Sequence, residues 1–416
     1  MRKNHYIFIM LLVIRIFVQY APAVELSAPF IISFPLLAAL ILYIMTVDMR
    51  LVRKTLMVIP IFIVPFLNLM AVNGGRIPLV NLIYVIFQWL SWPLIGFFVV
   101  YKLTAKSQKI AFWSFVACFV ITALTTSYGC SIFPNASRSM ANGFFAEMNP
   151  ETVTMYRSMN IGSFQFVYTL VLMIPILLCC NLSVFKNRYL GYGIIGLFLY
   201  TIFLTQYTTA LLLAVVSTAY LLLPGSHNPK TARKWLIGVV AIFFVSLPII
   251  GDLLNFFAGI ISSEQMSQRF SELSLSVSGQ QLDEDSDFAT RLYLWNKSLT
   301  TFFSHFLTGV YFTTDIANAS KYVGGHSFIL DSMARFGIVG LMLVIWMFKK
   351  LYILFVKPFN NRNHYIFFLT AFVLNIVQCL VNTVSIEVVF VFLMPLVFVI
   401  SNKENENKYI WQLKSF

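Results

Sequence analysis

Charge is what this sequence lacks most. Asp, Glu, Lys and Arg make up 11% of its 416 residues, where a soluble domain carries roughly 25%. Acidic residues are the rarer sign, with 16 Asp and Glu against 29 Lys and Arg. The basic residues fall in short clusters between apolar stretches, which argues against a nucleic-acid patch despite a net charge of +13. Cysteine is scarce too. Four of the five, Cys118, Cys179, Cys180 and Cys379, lie inside apolar runs, and Cys130 stands alone in a polar segment, a distribution that argues against a disulfide framework or a thiolate metal site. No internal repeat is visible, and with it goes the inverted-repeat mark of many secondary transporters.

Apolar length is abundant instead. Hydrophobic residues reach 59%, Phe alone occurs 42 times, and the mean hydropathy is +0.81, so the solvent of most of the chain is lipid. Apolar runs at about 6–20, 29–47, 55–72, 79–101, 110–126, 161–180, 189–206, 207–223, 235–251, 328–347, 365–382 and 384–400 predict twelve transmembrane helices. Of the 29 Lys and Arg, 20 lie in alternate segments beginning with the amino terminus. Positive loops resist translocation, so both termini are expected in the cytoplasm. The first twenty-odd residues also resemble a cleavable signal, with Arg2, Lys3 and Ala21-Pro22-Ala23; Arg15 within the apolar run favours a retained helix.

The expected fold is therefore an all-α polytopic membrane protein. Nine helices fill residues 1–251, an extracytoplasmic loop with short helices runs over 252–327, three more helices occupy 328–400, and 401–416 form a cytoplasmic tail. A shorter outward loop is expected from about 127 to 160. The large loop carries half of the acidic residues. Phe288 to Phe303 reads as an amphipathic helix with aromatic anchors Tyr293, Trp295 and Phe302.

The segment from Arg291 to Gly340 holds the most chemistry. It contains Arg291-x-x-x-Trp295, then His305-Phe306-Leu307-Thr308-Gly309, then Gly324-Gly325-His326-Ser327 opening a helix with Gly337 and Gly340. This order resembles the core of the O-antigen ligase and O-antigen polymerase superfamily, in which an Arg and Trp precede a Pro-leu-x-Gly turn and a His stands where the last large loop re-enters the membrane. Two positions depart from it. The family's Arg at the outer start of a span is missing from Gln206-Tyr207-Thr208-Thr209, and the Pro of the turn is replaced by Phe306 or Leu307. The resemblance implies a metal-independent, cofactor-free inverting glycosyltransferase of the bacterial cytoplasmic membrane. Such an enzyme joins polyprenyl-diphosphate-linked oligosaccharide repeats at the outer face, with membrane lipids and a chain-length regulator as further partners and no nucleic acid. A ligase delivering polymer to the lipid A core, or a lipid-linked oligosaccharide flippase, are the alternatives.

Transfer from a lipid diphosphate needs a base and fixed cations. His326 is the candidate base, since imidazole titrates near neutrality; the bland alternative is a hydrogen-bonded loop histidine. Arg291 is the candidate diphosphate clamp, or else a partner for the acidic run Asp283 to Asp287. Arg157 is placed to replace the missing family Arg, and Arg269 is a further cation of the loop. Ser327, Asp331 and Arg335 share one helix face at i, i+4 and i+8, which allows an Asp331–Arg335 pair and makes Ser327 an N-cap. Arg15 and Glu387 are isolated intramembrane charges. The Asp283-Glu284-Asp285 run is set aside as a nucleotide-sugar metal motif, because nucleotide sugars are not available outside the membrane.

Overall fold

The structure is a computed structural model describing residues 5–27, 30–56, 58–72, 79–140, 150–185, 187–223, 256, 259, 264–277, 287–311, 320–359, 364–382 and 389–401. Among these residues it is all-helical, with no strand. In chain order the helices are α1 (Tyr6–Tyr20), α2 (Pro22–Ser27), α3 (Phe30–Val47), α4 (Arg50–Leu56), α5 (Pro60–Val72), α6 (Leu79–Lys102), α7 (Ala105–Ile132), α8 (Ala136–Ser139) and α9 (Pro150–Ser158). They continue as α10 (Phe164–Ser183), α11 (Arg188–Leu204), α12 (Thr208–Leu222), α13 (Glu264–Val277), α14 (Asp287–Ser304), α15 (Phe328–Phe355), α16 (Tyr365–Val381) and α17 (Met394–Ser401).

Among the described residues, four stretches are long and apolar enough to cross a membrane: Val85–Lys102, Ala105–Ile132, Phe164–Asn181 and Phe328–Phe359. A fifth exists if Ile32–Val47 and Arg50–Leu56, bent by 119°, form one span. Most other apolar runs are helical but shorter. The expected span at 55–72 is interrupted by a turn at Val58, leaving the 13 residues of α5, about 20 Å of helix against a hydrocarbon core of roughly 30 Å. The expected span at 235–251 and the charge Glu387 lie outside the described residues, as do Asp283, Glu284 and Asp285.

The core forms around α10, whose spanning window is 89% buried and which packs on α11, α12 and α16. A helix apolar on all sides belongs in that position. Cys130 is not in a polar loop: α7 continues to Ile132 and buries it against Ala136, Met140, Val153 and Ile161. In α14 the face also differs from expectation. Phe302 is buried, but Tyr293 is 66% exposed, because the inner stripe runs through Leu294, Ser298 and Thr301, not through Tyr293.

Side-chain contacts sort the bundle into two ends. At one, Lys102 pairs with Asp48 at 2.6 Å, Lys54 lies over the Tyr101 ring, and His5 bonds Tyr43. At the other end, neutral side chains stitch helix ends together. Asn160 accepts from the Ala23 amide and donates to Thr122 and Thr125 of α7, while the Thr126 hydroxyl accepts from the Gly162 amide. Asn382, just after α16, donates to the Tyr168 hydroxyl at 2.8 Å and accepts from the Phe328 amide. The ends of α1, α7 and α16 and the starts of α10 and α15 therefore meet at one place. Arg15, fully buried in α1, donates to Ser33 at 2.8 Å, which ties α1 to α3.

Candidate functional site

Two polar assemblies occupy the end of the bundle held by Asn160 and Asn382. The first is built on α14 and α15. The latter is two helices joined at Gly337, whose backbone (φ 60°, ψ −145°) is not helical, a region open essentially only to glycine. Breaking a helix frees amides and carbonyls, each costly if buried unanswered. The His305–Gly309 turn answers them. Val310 donates to Ala334 O at 3.1 Å, Tyr311 to Arg335 O at 3.0 Å, and Ile338 to Phe306 O at 2.7 Å. The turn fits because two glycines face each other: a Cβ on Gly337 would stand 2.6 Å from Phe306 O, and one on Gly309 2.3 Å from Arg335 O.

The upper half of α15 begins at Ser327, whose hydroxyl accepts from the Leu330 amide at 3.1 Å, an N-cap. Asp331 is buried and folds back over the same turn. Its Oδ1 accepts from the Ser298 hydroxyl at 2.7 Å and the Gly325 amide at 3.2 Å, and its Oδ2 from the Ser327 amide at 3.2 Å. The helix start that favours an anion thus already holds the chain's own carboxylate. Asp331 makes no ion pair with Arg335. With the carboxylate turned toward Ser298, the Arg335 guanidinium turns the other way and donates to Asn68 of α5, which also donates to Ser332 at 2.7 Å.

His326 stands exposed in this cap, between Gly325 (φ 80°) and Ser327. The loop carrying it lies directly on the helix of Arg291. Gly324 donates to Ser298 at 2.9 Å and approaches Leu294 O so closely that a Cβ there would be 2.2 Å from it; Leu294 is one helical turn beyond Arg291. The half-buried Arg291 guanidinium lies within electrostatic reach of the Tyr168 hydroxyl, and so does that of Arg138. The structure therefore brings His326, Ser327, Asp331 and Arg291 into one assembly, with Arg335 on its far side. The side chain of Arg269, on α13, lies outside the described residues.

Arg138 and Tyr168 were not singled out from sequence. The Tyr207 hydroxyl donates to Ser137 O at 3.0 Å, which holds α8 and Arg138 beside the start of α12, where residues 206–209 lack a cation of their own. The available signal was an arginine in a loop otherwise poor in positive charge.

Arg157 belongs to the second assembly. It lines a cavity of about 460 Å³ between α1, α2, α5, α6, α7, α9 and α10, with Gln19, Glu25, Gln88, Trp89 and Gln165 among its walls. Glu25 faces the same space. Its surroundings hold its carboxyl above the usual glutamate value through loss of hydration, with Arg157 and then Arg15 pulling the other way. None of the cavity's walls belongs to the assembly around His326. Among the described residues, no group of three or more His, Cys, Asp or Glu is arranged to hold a metal.

The chain matches no known family model and no curated protein.

Proposed function

We propose that this chain is a polysaccharide polymerase of the O-antigen type. In this reading it is a membrane protein of about a dozen spans with both termini in the cytoplasm, and the Asn160–Asn382 end faces outward. It joins polyprenyl-diphosphate-linked oligosaccharide repeats there. The observation that carries the reading is the seating of Gly324 on Leu294 and Ser298, which sets the loop of the exposed His326 on the helix that carries the half-buried Arg291.

The chemistry follows from those two groups. The hydroxyl of one repeat attacks the anomeric carbon of the other; the new glycosidic bond forms as the bond to the diphosphate breaks with inversion, and the lipid diphosphate leaves with the electron pair. His326 takes the hydroxyl proton, a contribution of about 10²- to 10⁴-fold. Arg291, supported by Arg138, stabilises charge on the leaving diphosphate through charge-assisted hydrogen bonds. Asp331 keeps the cap that presents His326 in shape.

The test is complementation of a strain lacking this gene with His326→Ala, followed by separation of surface polysaccharide by length. Single-repeat products at normal expression are expected, and Arg291→Ala should behave alike, while Arg291→Lys keeps partial activity because charge survives without the bidentate fork. A normal ladder from well-expressed His326→Ala overturns the reading. Bare acceptor with full polymer stranded on its carrier identifies a ligase instead.

A further inference from the structure

The cavity holding Arg157 has no part in the transfer just described, yet it has the walls of a binding site. Its volume of about 460 Å³ falls within the range of roughly 300–1,000 Å³ typical of small-molecule sites. One side is aromatic: Trp89 stacks on Phe62 at 6.0 Å with 14° between the rings, and Tyr20 leans on both Trp92 and Phe119. The other side is polar and unused. Among the described residues the side-chain amides of Gln19, Gln88 and Gln165 have no hydrogen-bond partner, and the Ser163 hydroxyl makes no cap bond to its helix.

Such a wall selects by chemistry. An amide offers a donor and an acceptor side by side, the pattern that a pair of neighbouring ring hydroxyls needs. An indole face offers a negative π surface to the apolar C–H face of a pyranose. Arg157 and Glu25 bring one charge of each sign, so a diphosphate entering here would gain an arginine only by approaching a carboxylate. A neutral, hydroxyl-rich ligand meets no such penalty.

We propose that this cavity is a saccharide subsite that holds one neutral pyranose unit beside, and not at, the His326 centre. Along α10, Gln165 and Thr169 face the cavity while Tyr168 faces Arg291. None of the cavity's walls is shared with the His326 assembly, and the subsite reads a sugar flanking the one that reacts. This rests on the polymerase reading only in assigning the saccharide to a lipid-linked repeat; binding is testable without transfer.

The experiment is saturation-transfer NMR on the full chain in detergent, using the methyl glycosides of glucose, galactose, N-acetylglucosamine and rhamnose, with inorganic pyrophosphate as competitor. At least one glycoside should bind in the millimolar range. Trp89→Ala and Gln165→Leu should each weaken it about tenfold or more, the loss expected when a site's polar or stacking partner disappears. Gln165 is exposed, so its variant keeps the test clean if Trp89→Ala fails to fold. Binding by none of the four, binding untouched by both cavity variants, or displacement by pyrophosphate at neutral pH would each overturn the proposal. A normal polysaccharide ladder from His326→Ala sinks the polymerase reading alone and leaves the cavity result standing.

Discussion

The cap around Asp331 and the cavity around Trp89 lie at the same end of the bundle, and both are rich in polar side chains. They differ in where the hydrogen bonds go. In the cap, Asp331, Ser298, Ser327 and Asn68 are bonded to the chain itself. In the cavity, three glutamines turn their amides to open space. A buried polar group costs free energy unless answered, so the first arrangement holds a shape, and the second waits for a ligand or for water. Substitutions in the cap should therefore be read in stability, and substitutions in the cavity in binding.

The largest expected effect comes from the clasp. Gly337→Ala requires a side chain in a conformation that only glycine adopts readily and drives a methyl into the Phe306 carbonyl, a cost of about 3 kcal/mol or more. Thermal unfolding of the detergent-solubilised chain should show a lowered midpoint or no folded protein. Gln165→Leu, measured beside it, should stay within about 0.5 kcal/mol of the parent. A Gly337→Ala protein as stable as the parent would mean that the His305–Gly309 turn is not wedged into the helix break, and the contrast between cap and cavity would lose its firmer half.

Asp331→Ala comes next. It leaves the Ser298 hydroxyl and the Gly325 and Ser327 amides unanswered, so about 2–4 kcal/mol of destabilisation is expected. Asp331→Asn keeps an acceptor oxygen and should lose roughly half as much. The comparison sharpens if product length is followed with the same variants. Asp331→Asn that folds well should still make long polysaccharide, since the cap only presents His326. A stable variant that makes none would move Asp331 from holding the shape to the chemistry.

Much of this architecture is written in local pattern and therefore readable. Among the described residues most of the apolar runs appear as helices, several of them shorter than a span, and Ser327 before an apolar segment is an N-cap signal that needs no tertiary knowledge. What escaped depends on distant partners. The i, i+4 spacing of Asp331 and Arg335 suggests a pair, but Ser298 of α14 and Asn68 of α5 each claim one member. Gly337 reads as a glycine tolerated inside a span; only Gly309, brought in by the fold, makes it a joint. The cavity is assembled from Gln19, Gln88 and Gln165 on three separate helices. Amides within apolar stretches are themselves a pointer to an interior polar site, and following them would have found it.

The smallest effect, and the most specific to the cavity, concerns pH. Loss of hydration outweighs Arg157 and Arg15 at Glu25 and raises its pKa above the usual 4.5. A raised carboxyl pKa means the folded chain binds the proton more tightly than the unfolded one. The stability it contributes is therefore fully present below about pH 4.5 and is lost as pH rises through the higher, folded value. Glu25→Gln removes that loss. The variant should unfold at a slightly higher temperature than the parent at neutral pH, and the two curves should converge on acidification. If the variant is instead the less stable at neutral pH, the arginines dominate and the carboxylate is a working half of an ion pair. The same titration bears on selectivity: protonated Glu25 leaves Arg157 as the uncompensated charge, so pyrophosphate should begin to compete with a glycoside only in acid, or at any pH once Gln replaces Glu25.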